Sequence, residues 1–384
     1  MSLLLRPQFI ALDTGQLANW LRDRISDGDR KRIALKFEEQ LRERGLVVIL
    51  TNHHLFELAA IEDCDLVAAR LRALSSLQLV ATPAPIAKDA PLGDIIDISA
   101  AEAITALDAP NASAVEVCNR LKAKGLRVLS GEEALAPYLV DPLTLHDLAK
   151  RNAEKQREVV AISHLSPEPG AKKPILELLD GVLRSRSDTV RVFSSMGEYL
   201  GQQIALHGDR RIADPRGVAK GFYEAAFNEG AKLSAANVRE FVEAALKMLN
   251  VNMVDIPPEM TVEEALDLGL FRTELKIAVS NVGRPWTHFL HLDQRRLPSW
   301  QVKYALKKHA HRRRELRGSV TNDRYLACLA PYSNATFADG QTMEDARRAM
   351  HKVPLLRALL PSLTRSAPYS KVPGMFAIQG TKAA

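Results

Sequence analysis

The sequence predicts an α/β fold: a three-layer arrangement around a central, mainly parallel sheet, with a large and mostly α-helical lobe inserted into it. Three observations carry this expectation. The run Leu46-Val-Val-Ile-Leu50 is continuous, apolar and of strand length, the pattern of a parallel strand covered on both faces. Around it the pattern reads strand, helix, helix, strand, and a helix-then-strand pattern returns near residues 321–339. At 384 residues the chain exceeds the roughly 250 to 300 over which one core keeps growing, so two lobes are expected.

Gln8 to Leu12 form the first short apolar strand, which ends on Asp13. Leu17, Trp20, Leu21 and Ile25 then recur at helical spacing, with Asp13 or Thr14 as the cap. A second helix sets Ile33, Ala34, Phe37 and Leu41 on one face and stops near Gly45. After the strand Leu46–Leu50, Thr51-Asn52 opens a helix that carries Glu57 about two turns in, with Leu58, Ile61 and Leu66 packing below it. Leu77 to Thr82 reads as a further strand, and Val115 to Lys124 followed by Leu126-Arg-Val-Leu as one more helix and strand. Beyond these the chain turns helical. A Pro- and Gly-bearing connector spans 165–174, Ser234 caps an amphipathic helix with Val238, Phe241, Val242, Ala245, Leu246 and Leu249 on one face, and Thr261-Val-Glu-Glu264 is a capping box.

Near the C-terminus, Thr321 or Asn322 can cap a helix with Leu326, Leu329 and Ala330 inward, which puts Asp323 in its first turn. Pro331 to Asn334 is a turn, and Ala335-Thr-Phe-Ala a strand that delivers Asp339 just beyond its end. The domain reading is residues 1–85 and 301–384 for the sheet domain and 86–300 for the inserted lobe.

Apolar content of 46% with 26% charged residues reads as globular, and no run approaches the roughly 18 apolar residues of a membrane span. The N-terminal apolar stretch is broken by Arg6 and Asp13 and has no small-residue cleavage site, so no export signal is expected. Cys64, Cys118 and Cys328 are widely separated, which suggests a reducing, cytoplasmic setting and neither a disulfide framework nor a zinc cluster. The net charge is +6, from 52 Lys and Arg against 46 Asp and Glu. The stretch from Trp300 to Arg317 accounts for the whole excess: Lys303, Lys307, Lys308, Arg312, Arg313, Arg314 and Arg317 against Glu315 alone. Such a run suits phosphate binding, and Trp286, Trp300 and Tyr304 near it are the types that stack on bases. The same features also read as a solvated helix face and as packing at a lobe junction.

Asp13, Glu57, Asp323 and Asp339 all fall at apolar strand ends or in the opening turns of nearby helices. The pieces Phe9-Ile-Ala-Leu-Asp13-Thr, Val48-Ile-Leu-Thr-Asn-His-His-Leu-Phe-Glu57-Leu, Asn322-Asp323-Arg-Tyr-Leu-Ala-Cys-Leu and Thr336-Phe-Ala-Asp339 together resemble the PIN-domain nucleases. The resemblance covers residues 7–80 and 316–350. It implies a PIN-like fold and a cluster of four acids that binds Mg²⁺ or Mn²⁺. Asp13 and Asp323 would be central ligands, Glu57 a ligand or water positioner, Asp339 a peripheral ligand, and Thr51 or Asn322 would orient them. It further implies metal-activated attack of water on a phosphodiester, with RNA as the expected substrate. Two departures stand out: most of the chain separates Glu57 from Asp323, and Asp339 is followed by Gly340-Gln-Thr without a further acid.

Other site classes find no support. His288-x-x-His291, His309 and His311 lack a third soft ligand for zinc. An Asp-x-Asp phosphatase needs an acid where Gly15 stands, and no Gly-x-Ser-x-Gly elbow is present. His53 lies four residues before Glu57 and, with His54, could touch substrate. The competing expectations are a catalytically silent PIN-like protein whose helical lobe contacts a protein partner or inhibitor, and a nuclease specific for branched DNA, since some relatives of the fold cut such substrates.

Overall fold

The computed structural model describes residues 7–87, 90–165, 172–175, 177, 186–232, 243, 246–311 and 315–377. The chain forms two compact units. One comprises Met1–Ala153, Ala278–His311 and Thr321–Ala384, and the other Glu154–Ile277 and Arg312–Val320. Residues 86–153 and 278–300 belong to the sheet-bearing unit.

The first unit is an α/β fold. Its strands are β1 (Gln8–Ala11), β2 (Leu46–Ile49), β3 (Val80–Pro83), β4 (Leu126–Leu129), β5 (Ala335–Ala338) and β6 (Leu363–Arg365). Among the described residues they make one six-stranded sheet in the order β4-β3-β2-β1-β5-β6. All neighbours are parallel except β4, which runs antiparallel along β3 from Val80↔Leu129 to Pro83↔Leu126. Every residue of β2, β3 and β5 is buried, as expected of apolar strands covered on both faces. From β1 the chain builds outward through β2 and β3, then returns to the other side of β1 as β5 and β6, so the order reverses between β1 and β5.

Helices cover both faces. α1 (Thr14–Ile25) buries Leu17, Trp20 and Leu21, and α2 (Gly28–Glu43) buries Ala34, Phe37 and Leu41. Their contact centres on Phe37, whose ring lies 6.1 Å from Trp20 and 5.2 Å edge-on to Tyr369. Ile33, expected on the inner face, is 46% exposed, so the apolar stripe is narrower than its spacing suggested. Gly45 ends α2 at φ +64°, a left-handed conformation that suits glycine. α3 (Asn52–Ala59) is shorter than expected. Asp63 accepts from Asp65 N and Leu66 N and starts α4 (Cys64–Ser75), so Ile61 lies in the break and Leu66 on the next helix. α5 (Ile95–Asp108), α6 (Ala114–Leu121), α7 (Gly131–Val140) and α8 (Pro142–Leu165) follow.

In the second unit, α9 (Arg186–His207) and α10 (Pro215–Lys232) pack with Ala161 of α8 around Leu200, Ile204, Ala219 and Tyr223. Ile175, Leu246, Val251, Ile256 and Ala265 form another cluster, below α11 (Val262–Ala278). The capping box before α11 is present: Thr261 N and Oγ1 donate to Glu264 Oε2, and Glu264 N to Thr261 Oγ1. Ser234, Val238, Phe241, Val242 and Ala245 lie outside the described residues. Asp209, buried, accepts from Arg211 and from Gly318 N, which joins the two segments of this unit. Among the described residues no helix is long and apolar enough to cross a membrane.

The first unit is completed by α12 (Pro298–Lys308), α13 (Val320–Ala327), α14 (Gly340–Lys352) and α15 (Leu355–Leu359). Two buried ionisable groups hold its layers together. Glu102 of α5 accepts from Ser299 N at 2.9 and 3.0 Å, from the Ser299 hydroxyl at 2.7 Å and from the Tyr332 hydroxyl at 2.6 Å, so one carboxylate satisfies the N-terminus of α12. Burial outweighs these bonds and pushes its pKa up to about 7. His54 bridges two strand ends: Nε2 donates to Leu12 O at 3.1 Å, and Nδ1 accepts from Thr51 N at 3.2 Å and from its hydroxyl at 3.0 Å. Burial, reinforced by neighbouring His53, pushes the His54 pKa down to about 4.

The two groups give stability opposite pH slopes. Below pH 6.5 the unfolded chain binds a proton that folded His54 refuses until about pH 4, so its contribution fades as the pH falls. Between pH 4.5 and about 7 folded Glu102 keeps a proton that the unfolded chain has released, so its contribution fades as the pH rises. Each amounts to about 3 kcal/mol over its window. Urea denaturation from pH 4 to 7.5 should show Glu102→Gln losing stability on acidification relative to wild type, and His54→Gln gaining it. A pH-independent difference for either variant would contradict the assignment.

Candidate functional site

In an open sheet of parallel strands, ligands bind beyond the carboxyl ends where the strand order reverses, here between β1 and β5. Asp13 follows β1, Thr51 follows β2, Asp339 follows β5 and Ser366 follows β6, all on that edge. α13 reaches the same edge from the opposite direction. It precedes β5, and beyond its C-terminus Asn334 is fixed to β1 by Asn334 N donating to Phe9 O and Phe9 N to Asn334 Oδ1. The start of α13, and with it Asp323 in the first turn, therefore lies towards the carboxyl ends of the strands. The helix begins at Val320, ahead of the expected caps Thr321 and Asn322, and Leu329 and Ala330 lie past its end, where both are buried.

Two of the four acids serve as helix caps. Asp13 Oδ1 accepts from Gln16 N at 2.6 Å in a reciprocal capping box, and Oδ2 accepts from the Ser366 hydroxyl. Asp339 Oδ1 accepts from Thr342 N at 2.6 Å and caps α14. Thr51 caps α3 in a box with His54. Glu57 has no cap role, and its Oε2 accepts from the Thr14 hydroxyl.

Glu57 and Asp323 line one pocket. Thr14, Thr51, Asn322 and the two histidines His53 and His54 complete its polar wall, and Ile95, Tyr325, Leu326 and Leu329 the rest. Its enclosed volume is about 20 Å³, enough for a water molecule or a bare cation. Asp13 and Asp339 are not among its lining residues. The structure thus brings Glu57, Asp323, Thr51 and Asn322 together and leaves Asp13 and Asp339 at the adjoining strand ends. Among the described residues no three or more His, Cys, Asp or Glu side chains form a group that could by itself enclose a metal.

Sequence reasoning missed Asp94 and Tyr325 at this pocket, and Ser366 beside Asp13. Asp94, the N-cap of α5, lies 2.5 Å from His53 Nδ1 through its Oδ1, and the His53 ring meets Tyr325 edge-on at 4.6 Å. Ser366 ties the loop after β6 to Asp13. The signal for Asp94 was present as Asp94-x-x-Asp97, an acid at a cap position, but nothing local joins it to His53.

Of the basic run, Lys303, Lys307 and Lys308 lie on α12. Lys303 is half-buried with Nζ 4.8 Å from the Trp300 ring and 5.8 Å from that of Tyr325, and burial pushes its pKa down to about 8. Lys308 is exposed over Tyr304, which stacks on buried Trp300 at 6.1 Å. Arg317, in the second unit, is exposed, and Arg312, Arg313 and Arg314 lie outside the described residues.

The caps yield a prediction that separates folding from charge. Asp13→Ala and Asp339→Ala should each cost about 1 kcal/mol by removing the acceptor. Asp13→Asn and Asp339→Asn, which keep an oxygen in place, should stay within about 0.5 kcal/mol of wild type. Thermal unfolding without metal measures this, and an Asn variant as unstable as its Ala counterpart would show that the carboxylate charge, rather than the cap, is what the fold uses.

No protein-family model, curated protein or solved structure matches this chain.

Proposed function

We propose that the chain is a divalent-metal-dependent nuclease on a PIN-like fold, hydrolysing phosphodiester bonds in RNA. The observation that carries this reading is the meeting of Glu57 and Asp323, from distant parts of the sequence, in one ion-sized pocket. Carboxylates that share so small a space repel each other, and a bound cation relieves the repulsion. The donor set fits Mg²⁺ or Mn²⁺: such ions accept hard oxygen ligands, need only one or two carboxylates and keep several waters. Zinc, which favours four soft or imidazole ligands, is not suited.

Glu57 and Asp323 would hold the ion, and Asp13 and Asp339 would add negative potential from the adjoining strand ends. When bound, the cation would polarise a phosphoryl oxygen and raise the acidity of water. Thr14 engages one oxygen of Glu57 and leaves the other for the ion. Lys307 and Lys308 on α12 would supply a positive field that holds the RNA backbone. Half-buried Lys303 has its ammonium over aromatic rings, an arrangement that favours orientation over long-range attraction.

A second reading, a silent PIN-like protein that works by binding a partner, draws on the employment of Asp13 and Asp339 as caps. One assay separates them. End-labelled single-stranded RNA and a branched DNA duplex are incubated with the chain in Mn²⁺, in Mg²⁺ and in EDTA. The nuclease reading expects metal-dependent RNA cleavage that Glu57→Gln and Asp323→Asn each reduce by about 100-fold or more. Cleavage confined to branched DNA would change the substrate, and no cleavage by wild type in either metal would favour the silent reading.

A further inference from the structure

We propose that His53, held by Asp94, is the catalytic acid that protonates the leaving oxygen when the phosphodiester is cleaved. The inference rests on the nuclease reading and adds a residue outside its four carboxylates. His53 lines the same pocket as Glu57 and Asp323, one turn before Glu57 on α3. Its side chain is 29% exposed, and Nδ1 meets Asp94 Oδ1 at 2.5 Å. Among the described residues Nε2 forms no hydrogen bond. With a carboxylate on Nδ1, the proton there is fixed and Nε2 is the atom that exchanges protons with a ligand.

The backbone around Asp94 is unusually constrained. Asp94 Oδ1 also accepts from Ile95 N at 2.8 Å, and Asp94 N donates to Asp97 Oδ2 at 2.8 Å. One residue earlier, Gly93 N donates to Thr82 Oγ1 at 2.8 Å, and a Cβ on Gly93 would stand 2.0 Å from Pro83 O. Only glycine lets the loop pass this close to the end of β3. Asn52, next to His53, donates to Leu92 O and accepts from the Tyr138 hydroxyl at 2.7 Å. The imidazole and its carboxylate are thus positioned from both sides, and Tyr325 fixes the ring plane.

Elimination points to the same residue. Of the pocket groups that carry a transferable proton, the Thr14 hydroxyl is donated to Glu57, the Thr51 hydroxyl to His54, and His54 Nε2–H to Leu12 O. Tyr325 offers a phenol whose pKa burial pushes up to about 12, which makes it a poor proton donor. In the step itself, the water oxygen bonds to phosphorus and releases a proton to solvent. The ester P–O bond breaks, its electron pair stays on the departing oxygen, and that oxygen takes the Nε2 proton, which solvent later replaces.

The test compares leaving groups. RNA expels an alkoxide that needs a proton, whereas thymidine 5′-(4-nitrophenyl phosphate) expels a nitrophenolate that does not. His53→Gln should slow RNA cleavage by about 100- to 1,000-fold and keep the aryl ester within about 2-fold of wild type. Asp94→Asn should fall between, again on RNA alone. Mn²⁺ affinity by isothermal titration should be unchanged in both. In metal-free protein, ¹⁵N shifts should show Nδ1 of His53 protonated in wild type and mixed tautomers in Asp94→Asn. Equal loss on both esters, no loss on RNA or a loss of Mn²⁺ affinity would overturn the role of His53 and leave the nuclease reading standing. Wild type inert on both esters in Mn²⁺ would remove the nuclease reading itself.

Discussion

The parallel pairing of β1 with both β2 and β5 is the constraint on which the pocket depends. Parallel strands must be joined by crossovers, and each crossover helix that follows a strand begins at that strand's carboxyl end. The free amides and positive dipole end of every such helix collect on one edge of the sheet. Asp, Thr and Ser are the residues that satisfy those amides, so a parallel sheet gathers oxygen-bearing side chains at its carboxyl edge before any function is imposed. Asp13, Thr51 and Asp339 are there for this reason. Glu57 is different: it caps no helix, its Oε2 accepts from the Thr14 hydroxyl, and it lines the cavity with Asp323 of the first turn of α13.

That distinction sorts the acids by physics. A carboxylate that caps a helix is stabilised by amides and tolerates its position without a counter-ion. One that shares a confined pocket with another carboxylate is at a disadvantage until a cation arrives. The pocket is kept small by Ile95, Leu326 and Leu329, and its polar wall is stiffened by Thr14 and by neutral His54, which ties the ends of β1 and β2 together. In the proposed reading, the hard oxygen donors of this pocket suit a small divalent ion.

What could be read from the sequence was local. β2 and β5 announce themselves as apolar runs, and Asp13, Thr51 and Asp339 as the polar residues that follow such runs. The break after Ala59 was hidden because Leu58, Ile61 and Leu66 kept a helical rhythm, and only the bonds from Asp65 N and Leu66 N to Asp63 reveal the new start. Ile33 fitted a periodic face but lies outside the packed stripe around Phe37. The site's other half was beyond reach for a different reason. His53 and Asp94 meet through a loop laid across the end of β3, and Lys303 rests on Trp300 and Tyr325 through packing between α12 and α13. Such encounters follow from tertiary structure and leave no spacing signal. The basic run was visible as composition, yet composition could not tell half-buried Lys303 from exposed Lys308.

The most direct test of the central claim is anomalous diffraction from crystals of the chain soaked in Mn²⁺. The account predicts a manganese peak within coordination distance of the Glu57 and Asp323 carboxylates, and its loss from crystals of Asp323→Asn. A fully soaked crystal with no peak there, or with manganese bound only elsewhere, would contradict it.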